Sequence, residues 1–142
     1  MGFAVAGIAA AIVFALVAVS QHNSATNARD NQEALVSILS SANAKVVPLE
    51  PSAGGSPSGR VVVSDGRAAL ISSLQPAPAG HTYQAWGLPS DGGAPVPLPT
   101  FDRNGAVVIL DDVGDYGQLA VTVEPSGGSQ APTTKPFTVA TL

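Results

Sequence analysis

The chain has 142 residues, room for one domain with an appendage, and 45% of it is apolar while only 11% is charged. Its 15 Gly and 12 Pro suit a turn-rich β-domain rather than a helical bundle, and with no cysteine it has no disulfide, thiolate metal site or cysteine nucleophile. A net charge of −4 with six scattered Lys and Arg argues against a nucleic-acid partner, which requires clustered basic residues to neutralise phosphates.

Phe3 to Val19 is an apolar run without one polar side chain. A spanning helix needs about 20 predominantly apolar residues, with a usable range from about 17. Gly2 and Ser20 extend the run, so residues 1–20 are expected to form a transmembrane helix, with Gly7 and Ala11 as a small-residue packing face. A cleaved signal peptide is the rival, disfavoured because no Lys or Arg precedes the run. An anchor beginning at residue 3 looks truncated, and a preceding domain is expected in the natural protein.

Residues 21–44 read as a juxtamembrane stalk. Gln21 to Asn27 is polar, with His22 a solvated, isolated histidine. Leu35, Ile38, Leu39 and Ala42 then fall at helical spacing, and Asp30 and Glu33 sit near the start, where carboxylates favour the helix dipole.

Residues 45–142 read as an all-β domain. Val46 to Leu49 is a first short strand, followed by a loop from Pro51 to Pro57. Arg60 to Ser64 and Arg67 to Leu74 flank Asp65-Gly66, a strong two-residue hairpin signal because both positions tolerate positive φ. His81 to Leu88 is a further strand and holds the single Trp. In Ala94 to Phe101 a proline at every second position removes N–H donors from one side, which predicts an edge strand or a polyproline-like strap. Asn104-Gly105 signals a turn, Ala106 to Leu110 a strand, and Asp111 to Gly117 an acidic loop. Leu119, Val121 and Val123 alternate as a strand that Glu124 and Pro125 stop. Ser126-Gly127-Gly128-Ser129 must then turn sharply, and the Glu124 carboxylate is expected to accept the turn's backbone N–H groups. Phe137 to Leu142 closes the domain. The sum is an antiparallel β-sandwich of about eight short strands, preceded by one transmembrane helix and a short helical stalk.

No residue set in this domain builds a convincing active site. His81 with Ser72 or Ser73 lacks the G-x-S-x-G elbow. Asp111, Asp112 and Asp115 could seat a calcium ion but lack its loop pattern, and they read as a solvated loop. Gly127 and Gly128 have no following Lys and no helix to cradle phosphate. Tyr83 and Trp86 could stack a sugar, although a domain this poor in aromatics needs them in its core. The expectation is a non-enzyme without catalytic, cofactor-binding or metal-binding residues.

Two motifs in order, Tyr83-Gln84-x-Trp86 and Val121-Thr122-Val123-Glu124-Pro125-x-Gly127-Gly128-Ser129-x-x-Pro132, follow an apolar run, a polar stalk and a VVPL strand. Over roughly Leu35 to Leu142 the chain resembles the C-terminal domain of anti-sigma-K factors. The resemblance implies a bacterial, single-pass membrane regulator with its β-domain outside the cell membrane. It also implies a cytoplasmic domain that holds a sigma factor, and release of that factor by membrane proteases in regulated intramembrane proteolysis. Tyr83, Trp86, Glu124, Pro125, Gly127, Gly128 and Pro132 are then structural motif residues, and the unshielded stalk from Ser20 to Asn43 is the expected first cleavage region. The chain departs from the family in lacking the cytoplasmic sigma-binding part and in having Pro99 before Thr100-Phe101, where glycine is usual. The alternative is an anchored or secreted binding module, for cell-wall glycan through Tyr83 and Trp86.

Overall fold

A computed structural model of the protein describes residues 28–102 and 107–142. The chain divides into two units, Met1–Ala34 and Leu35–Leu142. The described part of the first is helical and carries exposed Arg29, Asp30 and Glu33. This helix, α1, runs over residues 28–40. The second unit begins at Leu35, upstream of the expected start at Lys45.

The β-elements in order are β1 (Lys45–Pro48), β2 (Glu50–Pro51), β3 (Gly59–Ser64), β4 (Arg67–Ser72), β5 (His81–Pro89), β6 (Val96–Phe101), β7 (Val107–Leu110), β8 (Tyr116–Pro125) and β9 (Thr138–Thr141), with a 3-10 turn at Val113–Asp115 before β8. They form a four-stranded sheet, β1-β3-β4-β7, and a five-stranded sheet, β2-β9-β8-β5-β6, with antiparallel pairing throughout. The β3–β4 hairpin closes as its sequence requires: Ser64 pairs with Arg67, and Asp65 (φ 49°) and Gly66 (φ 77°) both take the left-handed conformation. The proline-rich strand, β6, lies at a sheet edge, where missing N–H donors break no second ladder. The Asn104-Gly105 turn signal lies outside the described residues.

Alternation directs one face of each sheet inward. Val61, Ala68, Leu70, Val108 and Leu110 from the four-stranded sheet meet Tyr83, Ala85, Leu119, Val121 and Ala140 from the other in one continuous core. Tyr83 packs its ring 5.5 Å from Phe101 and 5.7 Å from Phe137, centroid to centroid, within the range of favourable aromatic pairs. The outer face of the four-stranded sheet carries a smaller cluster, in which Ile38 of α1 is buried against Val62 and Ala69 with Leu35, Ala44, Ile71 and Ile109 around it.

This architecture corrects the expected one. Among the described residues the strands number nine rather than about eight, because the two-residue β2 adds to β9 after Leu49 turns the chain. Among the described residues no helix is long and apolar enough to cross a membrane, so the expected transmembrane helix has no structural support. The described helix carries charges in its first turns, whereas a span needs about 20 apolar residues. The segment assigned to the span, residues 1–20, lies outside the described residues.

Candidate functional site

The feature that sets this sheet apart is a buried carboxylate. β5 and β8 pair over their whole length, placing Gln84 beside Thr122, Thr82 beside Glu124 and Trp86 beside Ala120. Glu124, Thr122, Trp86 and Gln84 all point away from the inter-sheet core, yet Glu124, Thr122 and Trp86 are fully buried and Gln84 nearly so. The cover is the chain's own loop after β8. Pro125 ends the strand, and Gly127 and Gly128 follow with φ of 95° and 80°, a turn closed by Gly128 N–H on the Pro125 carbonyl at 2.9 Å. Gly128 then passes so close to β5 and β6 that a Cβ there would lie 2.9 Å from Thr100 Cγ2 and 3.0 Å from Gln84 Oε1.

Gln84 receives the loop with both ends of its amide. Its Oε1 accepts from Ser129 N–H at 2.8 Å, and its Nε2 donates to the Ser129 carbonyl at 3.0 Å. The side chain thus replaces a ladder partner for one residue of the loop. Glu124 gathers the rest. Thr122 Oγ1 donates to Oε1, Ser129 Oγ donates to Oε2 at 2.8 Å, and Thr133 donates to Oε2 through its hydroxyl. The Thr133 N–H is shared between the two oxygens at 3.0 and 3.1 Å. Further on, Thr134 Oγ1 donates to the Val123 carbonyl at 2.9 Å and Phe137 N–H to the Val121 carbonyl at 3.1 Å, leading the chain into β9.

The polarity of this network is fixed. Trp86 Nε1–H, a donor only, bonds Thr122 Oγ1 at 2.8 Å, so the Thr122 hydroxyl proton must point to Glu124. The Thr133 N–H can only donate as well. An ionised carboxylate accepts at about four positions, and here every one is filled by a donor. Burial works to raise the Glu124 pKa, but the hydrogen bonds from Thr122, Thr133 and Ser129, with the Thr133 amide, outweigh it and bring the group from 4.5 down to about 2. Among the described residues no buried side-chain nitrogen or oxygen lacks a partner. A saturated carboxylate sealed from solvent has no lone pair free for a substrate, and its chemistry is that of a clasp.

The Glu124 side chain therefore locks the corner, but with donors other than those expected. The turn's Gly128 N–H goes to Pro125, and the carboxylate instead reaches Thr133 and Ser129. Gln84, Thr122, Ser129 and Thr133 complete a network that the assigned motif residues contain only in part. Their signal in the sequence is a mixture of polar and aromatic residues on the face that should be solvated, as in Gln84 and Trp86. Pro132 is half-buried in the covering loop and Pro125 is exposed opposite His81.

The other candidate residues do not converge. Tyr83 is 8% exposed and Trp86 wholly enclosed, so neither offers a face to a sugar, which removes the ring-stacking basis of the glycan-binding alternative. His81 is exposed, with Nδ1 3.0 Å from the Ala79 carbonyl, while Ser72 Oγ accepts from Leu74 N–H. Asp111 pairs with Arg67 at 2.7 Å in solvent, and among the described residues no group of three or more His, Cys, Asp and Glu is placed to hold a metal ion.

Residues 4–137 match the family described as anti-sigma-K factor RskA, C-terminal, and the chain belongs to that family. It is 36% identical over 143 residues to an uncharacterised protein in the phr 5′ region of Streptomyces griseus, covering 91% of this chain and 58% of that protein. Over 72 residues it is 38% identical to the anti-sigma-K factor RskA of Mycobacterium sp. strains KMS and JLS, covering 48% of this chain and 29% of each relative. The chain thus spans less than two thirds of the length of these curated relatives. No solved structure matches the chain at a significant level.

Proposed function

We propose that this chain is the extracytoplasmic regulatory domain of an anti-sigma factor, a non-catalytic protein that restrains sigma-dependent transcription until regulated proteolysis releases the sigma factor. The observation that carries it is the family match over residues 4–137, which takes in every strand but β9, and the carboxylate clasp. The sigma factor itself is contacted by the portion of the full-length protein that this chain does not span. Membrane proteases are the regulators, and the β-domain lies on the outer side of the cell membrane. The clasp supports this role, because cleavage requires locally unfolded backbone and every polar group of the loop's anchor is engaged.

Two measurements test it in the source bacterium. A C-terminal tag should be digested by protease added to intact cells; protection until lysis overturns the extracytoplasmic placement. Deleting the gene should raise transcription from the cognate sigma-dependent promoter; unchanged transcription from every such promoter overturns the regulator.

A further inference from the structure

The four-stranded sheet ends in two borders of different character. β1 carries Lys45 and Pro48 at its ends, a cation and a missing N–H donor that make a poor template for another strand. β7, the other border, is Val107-Val108-Ile109-Leu110, with neither charge nor proline. Among the described residues nothing pairs with its outer side.

The groups on that side follow from the β3–β4 pairing. Ser73 N–H bonds the Ser58 carbonyl at 2.9 Å, in line with the register that sets Gly59 opposite Ser72. Alternation then turns the backbone groups of Arg67, Ala69 and Ile71 toward β3, and those of Ala68 and Leu70 toward β7. Leu110 and Val108 stand opposite Ala68 and Leu70 and engage them. Val107 and Ile109 therefore direct their N–H and carbonyl groups outward. Ile109 lies against the Ile38 cluster on the outer face of the sheet, and Val107, two residues away on the same face, is 42% exposed. Val108 and Leu110 are buried in the inter-sheet core.

We propose that β7 is a homodimer interface, at which a second copy of this chain adds its own β7 antiparallel and joins the two four-stranded sheets into one. A free border recruits an extended strand through its backbone, and here that strand must be apolar on both faces. β7 meets this requirement itself. A two-fold axis through Val108, perpendicular to the sheet, sets Val107 opposite the partner's Ile109 and Ile109 opposite the partner's Val107. Both pairs bring outward donors onto outward acceptors, and every side chain stays on its own face of the joined sheet. The exposed Val107 gains an apolar cross-strand neighbour. No charged residue enters these pairs, whereas an axis through Ile109 would set Val107 against the partner's Asp111. A second copy also presents its strand already folded, without the ordering cost that a free peptide carries. The pairing is independent of the regulatory function proposed above.

The test is sedimentation equilibrium of the full chain in a density-matched mild detergent, chosen for the apolar run from Phe3 to Val19. The parent should show a reversible equilibrium between one chain and two. Val107→Pro removes an outward N–H that no strand of the same chain uses, and should weaken association about tenfold or more. Val46→Lys, on the opposite border, should leave it unchanged. Far-ultraviolet circular dichroism and the fluorescence of Trp86, on the other sheet, monitor whether a variant keeps its fold. The chain has no cysteine, so Val108→Cys reports the axis directly. Under mild oxidation that variant should cross-link to itself, and the link should vanish when Val107→Pro is added. Should Val107→Pro unfold the domain, the Val108→Cys cross-link alone decides. A parent that stays single, association undiminished in folded Val107→Pro, or the absence of the cross-link overturns the homodimer. A single-chain parent that binds an added extended peptide, with binding lost in Val107→Pro, also overturns it and gives the border to a foreign strand.

Discussion

Glu124 is a charged residue without a cation, held instead by neutral donors. Its folded pKa, about 2, lies below its ordinary 4.5, so its stabilisation is present in full above pH 4.5 and is lost as pH falls toward 2. A shift of this size corresponds to about 3 kcal/mol. Urea unfolding followed through Trp86 should show stability falling across that window, and Glu124→Gln should remove most of the dependence. The amide substitution turns one acceptor into a donor facing Thr133, so at pH 7 the variant should be less stable by about 2–4 kcal/mol. Trp86→Phe leaves Thr122 without its fixed donor and should cost about 1–3 kcal/mol in urea unfolding followed by far-ultraviolet circular dichroism, since the variant has no tryptophan. The place of Glu124 at a Pro-Ser-Gly-Gly corner was legible in the sequence, because a carboxylate beside a forced turn has donors within reach. Its partners were not, since Ser129 and Thr133 become neighbours only once the loop has crossed the sheet.

Among the elements, β5 shows how a strand accommodates cover on both faces. Thr82 to Gly87 are all buried, and Gly87 lies under the Tyr116 ring, where a Cβ would meet ring carbons at 2.4 to 2.6 Å. The aromatic ring fills the place of the missing side chain. Gly87→Ala should destabilise by about 1–3 kcal/mol, and much less in a Tyr116→Ala background, because the two changes act on one contact. Thermal unfolding of the two single variants and the double variant checks this. The hairpin through Asp65-Gly66, the edge strand β6 and the helical stripe of Leu35 and Ile38 were legible, because turn chemistry, proline spacing and periodicity are local. The two-residue β2 was not, because nothing local distinguishes Glu50–Pro51 from loop. The docking of α1 was also hidden: Leu35 and Ile38 declare an apolar stripe but not the sheet that receives it.

At the scale of the β-domain, the five-stranded sheet is built from pairings distant in sequence, such as β2 with β9 and β5 with β8. Loop-closure entropy must be overcome before these contacts form, so refolding should be slow for a domain of this size, in the range of about milliseconds to seconds. Native-state hydrogen exchange should place the slowest amides in β5 and β8, the longest of the three inner strands of the five-stranded sheet, with β2 and β6 exchanging earlier. Equal protection across that sheet contradicts the expected hierarchy.

The prolines of β6 have a consequence for neighbouring molecules as well. A sheet border normally offers an incoming strand a row of donors and acceptors, and so seeds self-association. Here one border of the five-stranded sheet carries Pro97 and Pro99, and the other ends in the short β2 with Pro51. Neither gives a second chain a continuous template. Copies crowded together are thereby discouraged from joining strand to strand along this sheet.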